Sequence, residues 1–200
     1  MRTSRLEAFS DGVLAIIITI MVLELHVPEK PTWTALGGSA TGFLTYLLSF
    51  VYIGIYWNNH HHMFQATRSV NGAVLWANLH LLFWLSLYPF STAWMDQTDF
   101  ARIPMVVYGI NLLAAAVAFT VLQQAIFRCP GGDQLRAALG RDLKGKMSPV
   151  LYAAGIVLAF VNPWPAVACY VAVAVIWLVP DRRVERFVIE HQAESQEEAT

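Results

Sequence analysis

Apolar side chains fall into five blocks, residues 8–26, 39–57, 72–94, 104–127 and 148–180, separated by short polar connectors. A helix needs about 20 residues to cross the hydrocarbon of a bilayer. The first four blocks have that length, whereas the fifth is too long for one crossing. Within it the stretch "FVNPWP" places Asn162, Pro163 and Pro165, and proline removes a backbone donor and clashes with the preceding turn. The fifth block therefore divides into a hairpin, 148–161 and 165–180. The pattern predicts a domain of six transmembrane helices over 1–180, followed by a tail at 181–200.

The basic residues test that count independently, because cytoplasmic loops are enriched in them. With the N-terminus inside, six spans put Arg2, Arg5, Arg68, Arg128, Arg136, Arg141, Lys144, Lys146, Arg182, Arg183 and Arg186 on the cytoplasmic side; Lys30 and Arg102 fall outside. An odd count would move either the tail's arginines or the 128–146 connector to the other face. Both termini are thus expected in the cytoplasm and the protein in the cell membrane. Arg2 and Arg5 ahead of an apolar run look like the start of a signal peptide, but no small-residue cleavage site follows, so the segment is expected to stay attached. The connector "RCPGGDQLRAALGRDLKGK" (128–146) has room for a short surface helix. The tail begins basic and ends acidic, and its last ten residues have the composition of disorder.

Composition agrees with the pattern. With 56% hydrophobic and 14% charged residues, the chain has too few polar side chains to clothe a soluble domain, and the fold class is an all-α polytopic membrane protein. A net charge of −1, with the charges set between apolar runs, excludes a nucleic-acid face. Cys129 and Cys169 have neither zinc spacing nor a disulfide pattern, and no metal or other cofactor is expected.

The first helix has an ordered face. At 100° per residue, Ile16, Ile20 and Leu23 form one bulky stripe with Thr19 beside it and Gly12 one turn below, while Asp11 points about 140° away from Ile16, toward neighbouring helices. Arg5 followed by "FSDG" (9–12) and the isoleucine and threonine run through Ile16 and Thr19 resembles the opening helix of the transmembrane protein 175 family of potassium channels. "YWNNHHHMF" (56–64) and "NLHLLFWLSLYPFSTA" (78–93) extend the resemblance over the first half of the chain.

The resemblance implies six helices per repeat and, with one repeat per chain, a homotetramer whose first helices line a central pore for potassium. It also implies a bulky constriction at Ile16, without the carbonyl filter of ordinary potassium channels; no "TVGYG" occurs here. In a fourfold ring Ile16, Ile20 and Leu23 would stack as hydrophobic collars that gate by excluding water. Thr19 either offers its hydroxyl to a partly dehydrated cation or bonds its own backbone four residues back.

An acid at the entrance of a span needs partners. Arg5, Ser10, Asp11, Trp57 and His61 are expected to form a polar clamp holding the first helix at the pore wall, with Trp57 and His61 on one face at i, i+4. Three consecutive histidines, His60 to His62, point 100° apart and cannot converge on one metal ion from a single subunit. His80, Asn78 and Asn111 are expected as hydrogen-bonded core residues, and Glu7 as a complement to the positive end of the first helix. Glu24 either raises cation concentration at the pore mouth or simply reaches the interface. Trp33, Trp94, Trp164 and Trp177 lie near predicted interfaces. A membrane redox subunit or enzyme would need paired intramembrane histidines or a carboxylate cluster. A secondary transporter would need helices broken at the midplane.

Overall fold

Every regular element among the described residues 3–67, 70–140 and 142–178 of the computed structural model is an α-helix. The tail expected at 181–200 lies outside them, as do Arg2, Arg68, Arg141, Arg182, Arg183 and Arg186. In chain order the helices are α1 (Thr3–Leu23), α2 (Trp33–Gly38), α3 (Ala40–Gln65), α4 (Gly72–Ser86), α5 (Tyr88–Gln97), α6 (Arg102–Phe127), α7 (Gly132–Leu139), α8 (Leu143–Ala159) and α9 (Pro163–Leu178). Among the described residues, four segments are long and apolar enough to cross a membrane: α1, α3, α4 with α5 as one stretch over Gly72–Gln97, and α6. The hairpin helices α8 and α9 are shorter, at 17 and 16 residues.

Helix ends depart from the apolar blocks for identifiable reasons. The second span, expected to stop at residue 57, runs on to Gln65. Its "NNHHH" segment is polar but holds no glycine or proline, and Asn59 returns its amide to Ile55 O at 2.8 Å. Polarity marks where a helix leaves the hydrocarbon, not where its backbone stops. The third span divides at Leu87, because Pro89 has no N–H to give to Leu85 and its ring crowds that carbonyl. The chain restarts with Ser91 N bonding Leu87 O at 3.0 Å. Helix α8 begins five residues before its apolar block, where Asp142 caps it by accepting from Gly145 N at 2.7 Å. At the hairpin, the Asn162 side chain accepts from Trp164 N at 2.9 Å and Pro163 opens α9. The 128–146 connector does hold a short helix, α7. The six-residue α2, capped by Thr32, is an addition that the apolar pattern did not show.

Helix α1 packs on α3, α4 and α5, while α6 joins α4 and α5 to the α8–α9 hairpin, and α9 also reaches α3. The core where these groups meet is aromatic. Tyr52, Tyr88, Tyr108 and Tyr170 are fully buried, and their rings meet edge-on in sequence, Tyr52 on Tyr88, Tyr88 on Tyr108 and Tyr108 on Tyr170. Tyr52 donates to Tyr170 O at 2.6 Å, and Ser49 joins Tyr108 and Thr92 at 3.0 and 2.7 Å. Gly109 and Gly155 admit the Tyr170 side chain: a Cβ at either would collide with its ring or hydroxyl.

Candidate functional site

The residues singled out on the first helix separate onto two faces. Leu6, Ser10, Leu14, Ile17 and Met21, spaced by three or four, are the buried residues of α1 and pack into the bundle. The opposite side is bare: Ile16 is 60% exposed, Ile20 43% and Leu23 80%, whereas Ile17 is 3%. Thr19 lies on the bare side, with its hydroxyl proton committed to the Ala15 carbonyl. Its oxygen lone pairs remain able to face a cation. Glu24, also exposed, continues the turn through Glu24 N to Ile20 O at 3.2 Å.

Polar contacts fix α1 at the end where it starts. The antiparallel run of α1, α3 and α4 brings the start of α1, the end of α3 and the start of α4 to one side of the bundle. There the Trp57 indole donates to Asp11 Oδ1 at 3.0 Å. The Trp57 ring stacks on His61, with centroids 5.9 Å apart and planes 11° apart. His61 in turn bonds Gln65 at 2.8 Å and lies 3.9 Å from Glu7 Oε1, too far for a hydrogen bond and close enough for attraction when the imidazole is protonated. Glu7 thus faces α3 from the second turn of α1 instead of complementing the helix start.

Behind this exposed cluster lies a buried one. Ser10 donates to Leu6 O at 2.9 Å and accepts from the Asn78 amide at 3.0 Å, and Asn78 Oδ1 meets His60 Nε2 at 2.7 Å. Because the Asn78 nitrogen is occupied as a donor and its oxygen must accept, His60 carries its proton on Nε2. All three residues are buried, so the relay joins α1, α4 and α3 through hydrogen bonds shielded from solvent.

The expected clamp is therefore two networks. Ser10, Asp11, Trp57 and His61 lie at one end of the bundle, with Ser10 in a different network from the other three. Arg5 is exposed and makes no ion pair or side-chain hydrogen bond among the described residues; Asp11 takes a neutral indole donor in its place. His60 and Asn78 are the additions. Their signal in the sequence was a polar side chain inside an apolar helix, which requires a partner on a neighbouring helix. His60 and His61 diverge as their 100° spacing demands. His80 is corrected: it lies on the outer surface, accepting from Trp84 Nε1 at 2.9 Å, because Asn78, two residues away, occupies the inward face. Asn111 is buried as expected and donates to Ser91 at 3.1 Å.

Helices long enough to span a bilayer, joined through a buried polar relay and leaving one ordered face of the first helix bare, define an all-helical, multi-pass membrane protein. The family model described as "Endosomal/lysosomal potassium channel TMEM175" matches residues 5–89, the stretch that holds both networks and the bare face. A Chryseobacterium sp. (strain P1-3) protein named as a potassium channel is 52% identical over 96% of this chain and 100% of its own. The crystal structure of a lysosomal potassium-selective channel TMEM175 homolog from Chamaesiphon minutus superposes with a TM-score of 0.73 at 30% identity, covering 88% of this chain and 96% of that one. A human relative, named an endosomal/lysosomal proton channel, is 36% identical over 50% of this chain and 22% of its own length. The chain belongs to the TMEM175 family.

Proposed function

We propose that the protein is a potassium-permeable channel of a prokaryotic cell membrane, formed by four copies around a path lined by α1. The observation that carries this is the bare face of α1. A helix held by two polar networks on one side presents Ile16, Thr19, Ile20 and Leu23 on the other, and in a fourfold ring those side chains stack as collars. The names of the bacterial relatives, potassium channels in both cases, support the permeant ion and a non-enzymatic role. Ile16 is the narrowest collar, and it closes by excluding water rather than by a ring of carbonyls. Thr19 offers lone pairs between collars. Helices α8 and α9 complete six spans, which returns both termini to the cytoplasm. No cofactor takes part; the potassium ion is the permeant species.

The test is a pair of neighbouring substitutions in protein reconstituted into liposomes. Ile16→Asn places four polar side chains at the constriction, so potassium flux rises and discrimination against sodium falls. Ile17→Asn, at a buried position, removes apolar contacts and strands an amide in the core, at a cost of about 3 kcal/mol or more, and lowers the yield of folded protein without opening a path. The mass of the wild-type particle in mild detergent should equal four chains. Equal flux and selectivity in wild type and Ile16→Asn, at matched protein levels, would refute the assignment of the gate.

A further inference from the structure

On the outside of the bundle α4 and α6 leave a groove of about 510 Å³. Its floor is made of small residues, Ala73 and Ala77 from α4 and Ala125 from α6, with Trp76 as one wall. Along α6 the same groove carries a polar ladder, Thr120, Gln124 and Arg128, at i, i+4 and i+8. Gln124 and Arg128 are exposed, and neither makes a side-chain hydrogen bond or ion pair among the described residues.

A helix face turned to hydrocarbon has no use for an amide and a guanidinium without partners, since each is costly there. The spacing of the ladder says what would satisfy them. Arg128 sits at the C-terminal end of α6, on the side where α1 starts, and Gln124 lies one turn deeper, about 6 Å along the axis. A phospholipid presents a phosphate and, about one helical turn further in, ester carbonyls, followed by chains that fit a floor of small apolar residues. The phosphate matches the guanidinium and the esters match the amide donor. No carboxylate among the described residues lines the groove. A protein partner would have to bring a carboxylate at headgroup depth and an acceptor one turn below, whereas the bilayer supplies both on one molecule.

We propose that the α4–α6 groove is a binding site for one phospholipid of net negative headgroup charge per chain. Arg128 holds its phosphate, Gln124 donates to an ester carbonyl, and an acyl chain lies over Ala73, Ala77 and Ala125.

The test is native mass spectrometry of the full-length protein in mild detergent, with phosphatidylglycerol, phosphatidylcholine or glycerol phosphate added. The wild type should retain one phosphatidylglycerol per chain in preference to phosphatidylcholine. Arg128→Gln should weaken retention about fivefold, the effect of one basic residue at an anionic membrane surface. Gln124→Leu should weaken it less, and Ala73→Trp, an exposed position that a large ring would fill, should abolish it. Arg136→Gln, outside the groove, should leave it unchanged. Equal losses in Arg128→Gln and Arg136→Gln would overturn the proposal in favour of diffuse surface attraction. Displacement by glycerol phosphate would overturn the role of the groove floor. No preferential retention by the wild type, the outcome if a second copy covers the groove, would overturn it as well.

Discussion

Replacing Asn78 by Leu removes the centre of the buried relay while nearly conserving side-chain volume, which isolates the hydrogen bonds from the packing. Two contacts disappear, the 3.0 Å bond to Ser10 and the 2.7 Å bond to His60. Hydrogen bonds between membrane helices contribute about 0.6 kcal/mol each on average. The larger effect is on what remains. His60 keeps a ring nitrogen facing the new methyl groups, and a buried polar group without a partner costs about 1–3 kcal/mol. Together these give a loss of about 2–4 kcal/mol. Ser10→Ala should cost only about 1 kcal/mol, since the Ser10 proton is already satisfied within its own helix at Leu6 O and a single interhelical bond is lost. The measurement is reversible unfolding in mixed micelles titrated with denaturing detergent, for the two single variants and the double variant. Because Ser10 and Asn78 touch, the double variant should fall short of the sum of the singles by about 0.5–1 kcal/mol. Strict additivity, or an Asn78→Leu variant within about 0.5 kcal/mol of wild type, would show that the relay does not hold α1 against α3 and α4.

The exposed network should matter less to stability and more to conduction. Asp11→Ala loses one partly solvated bond, about 0.5–1.5 kcal/mol, and frees the entrance end of α1, so potassium flux through liposomes should fall. Asp11→Asn keeps the acceptor for the Trp57 indole and should conduct as wild type does; equal flux in all three proteins would remove the anchoring role. In the core, Gly155→Val drives a side chain into the Tyr170 ring and should destabilise the protein by about 1–3 kcal/mol. Gly54→Ala, where a Cβ meets open space, should be neutral or stabilising by about 0.5 kcal/mol, and a thermal melt of the two variants separates the cases.

The four long apolar stretches and the family resemblance of the first helix were legible along the sequence. Apolar length, a proline-broken hairpin at Asn162–Pro165 and the "FSDG" stretch are local features, and hydrophobic burial in a bilayer depends on little beyond local composition. The stripe of Ile16, Ile20 and Leu23 was equally visible, since a helix fixes which side chains share a face before any neighbour is placed. The division of α4 from α5 at Leu87 was also present, in Pro89, but an uninterrupted apolar block concealed it. What tertiary structure alone decided was partnership. Nothing near Asp11 in sequence names Trp57 as its donor, and charge complementarity pointed to Arg5 instead. The fold places an indole where a cation was expected, because α3 runs antiparallel and sets its last turns beside the first turns of α1. The same geometry turned Asn78 inward to join Ser10 to His60 and left His80 outside with Trp84. Two residues on one helix separated by 200° must face different surroundings, yet only the position of the neighbouring helices determines which of them is buried.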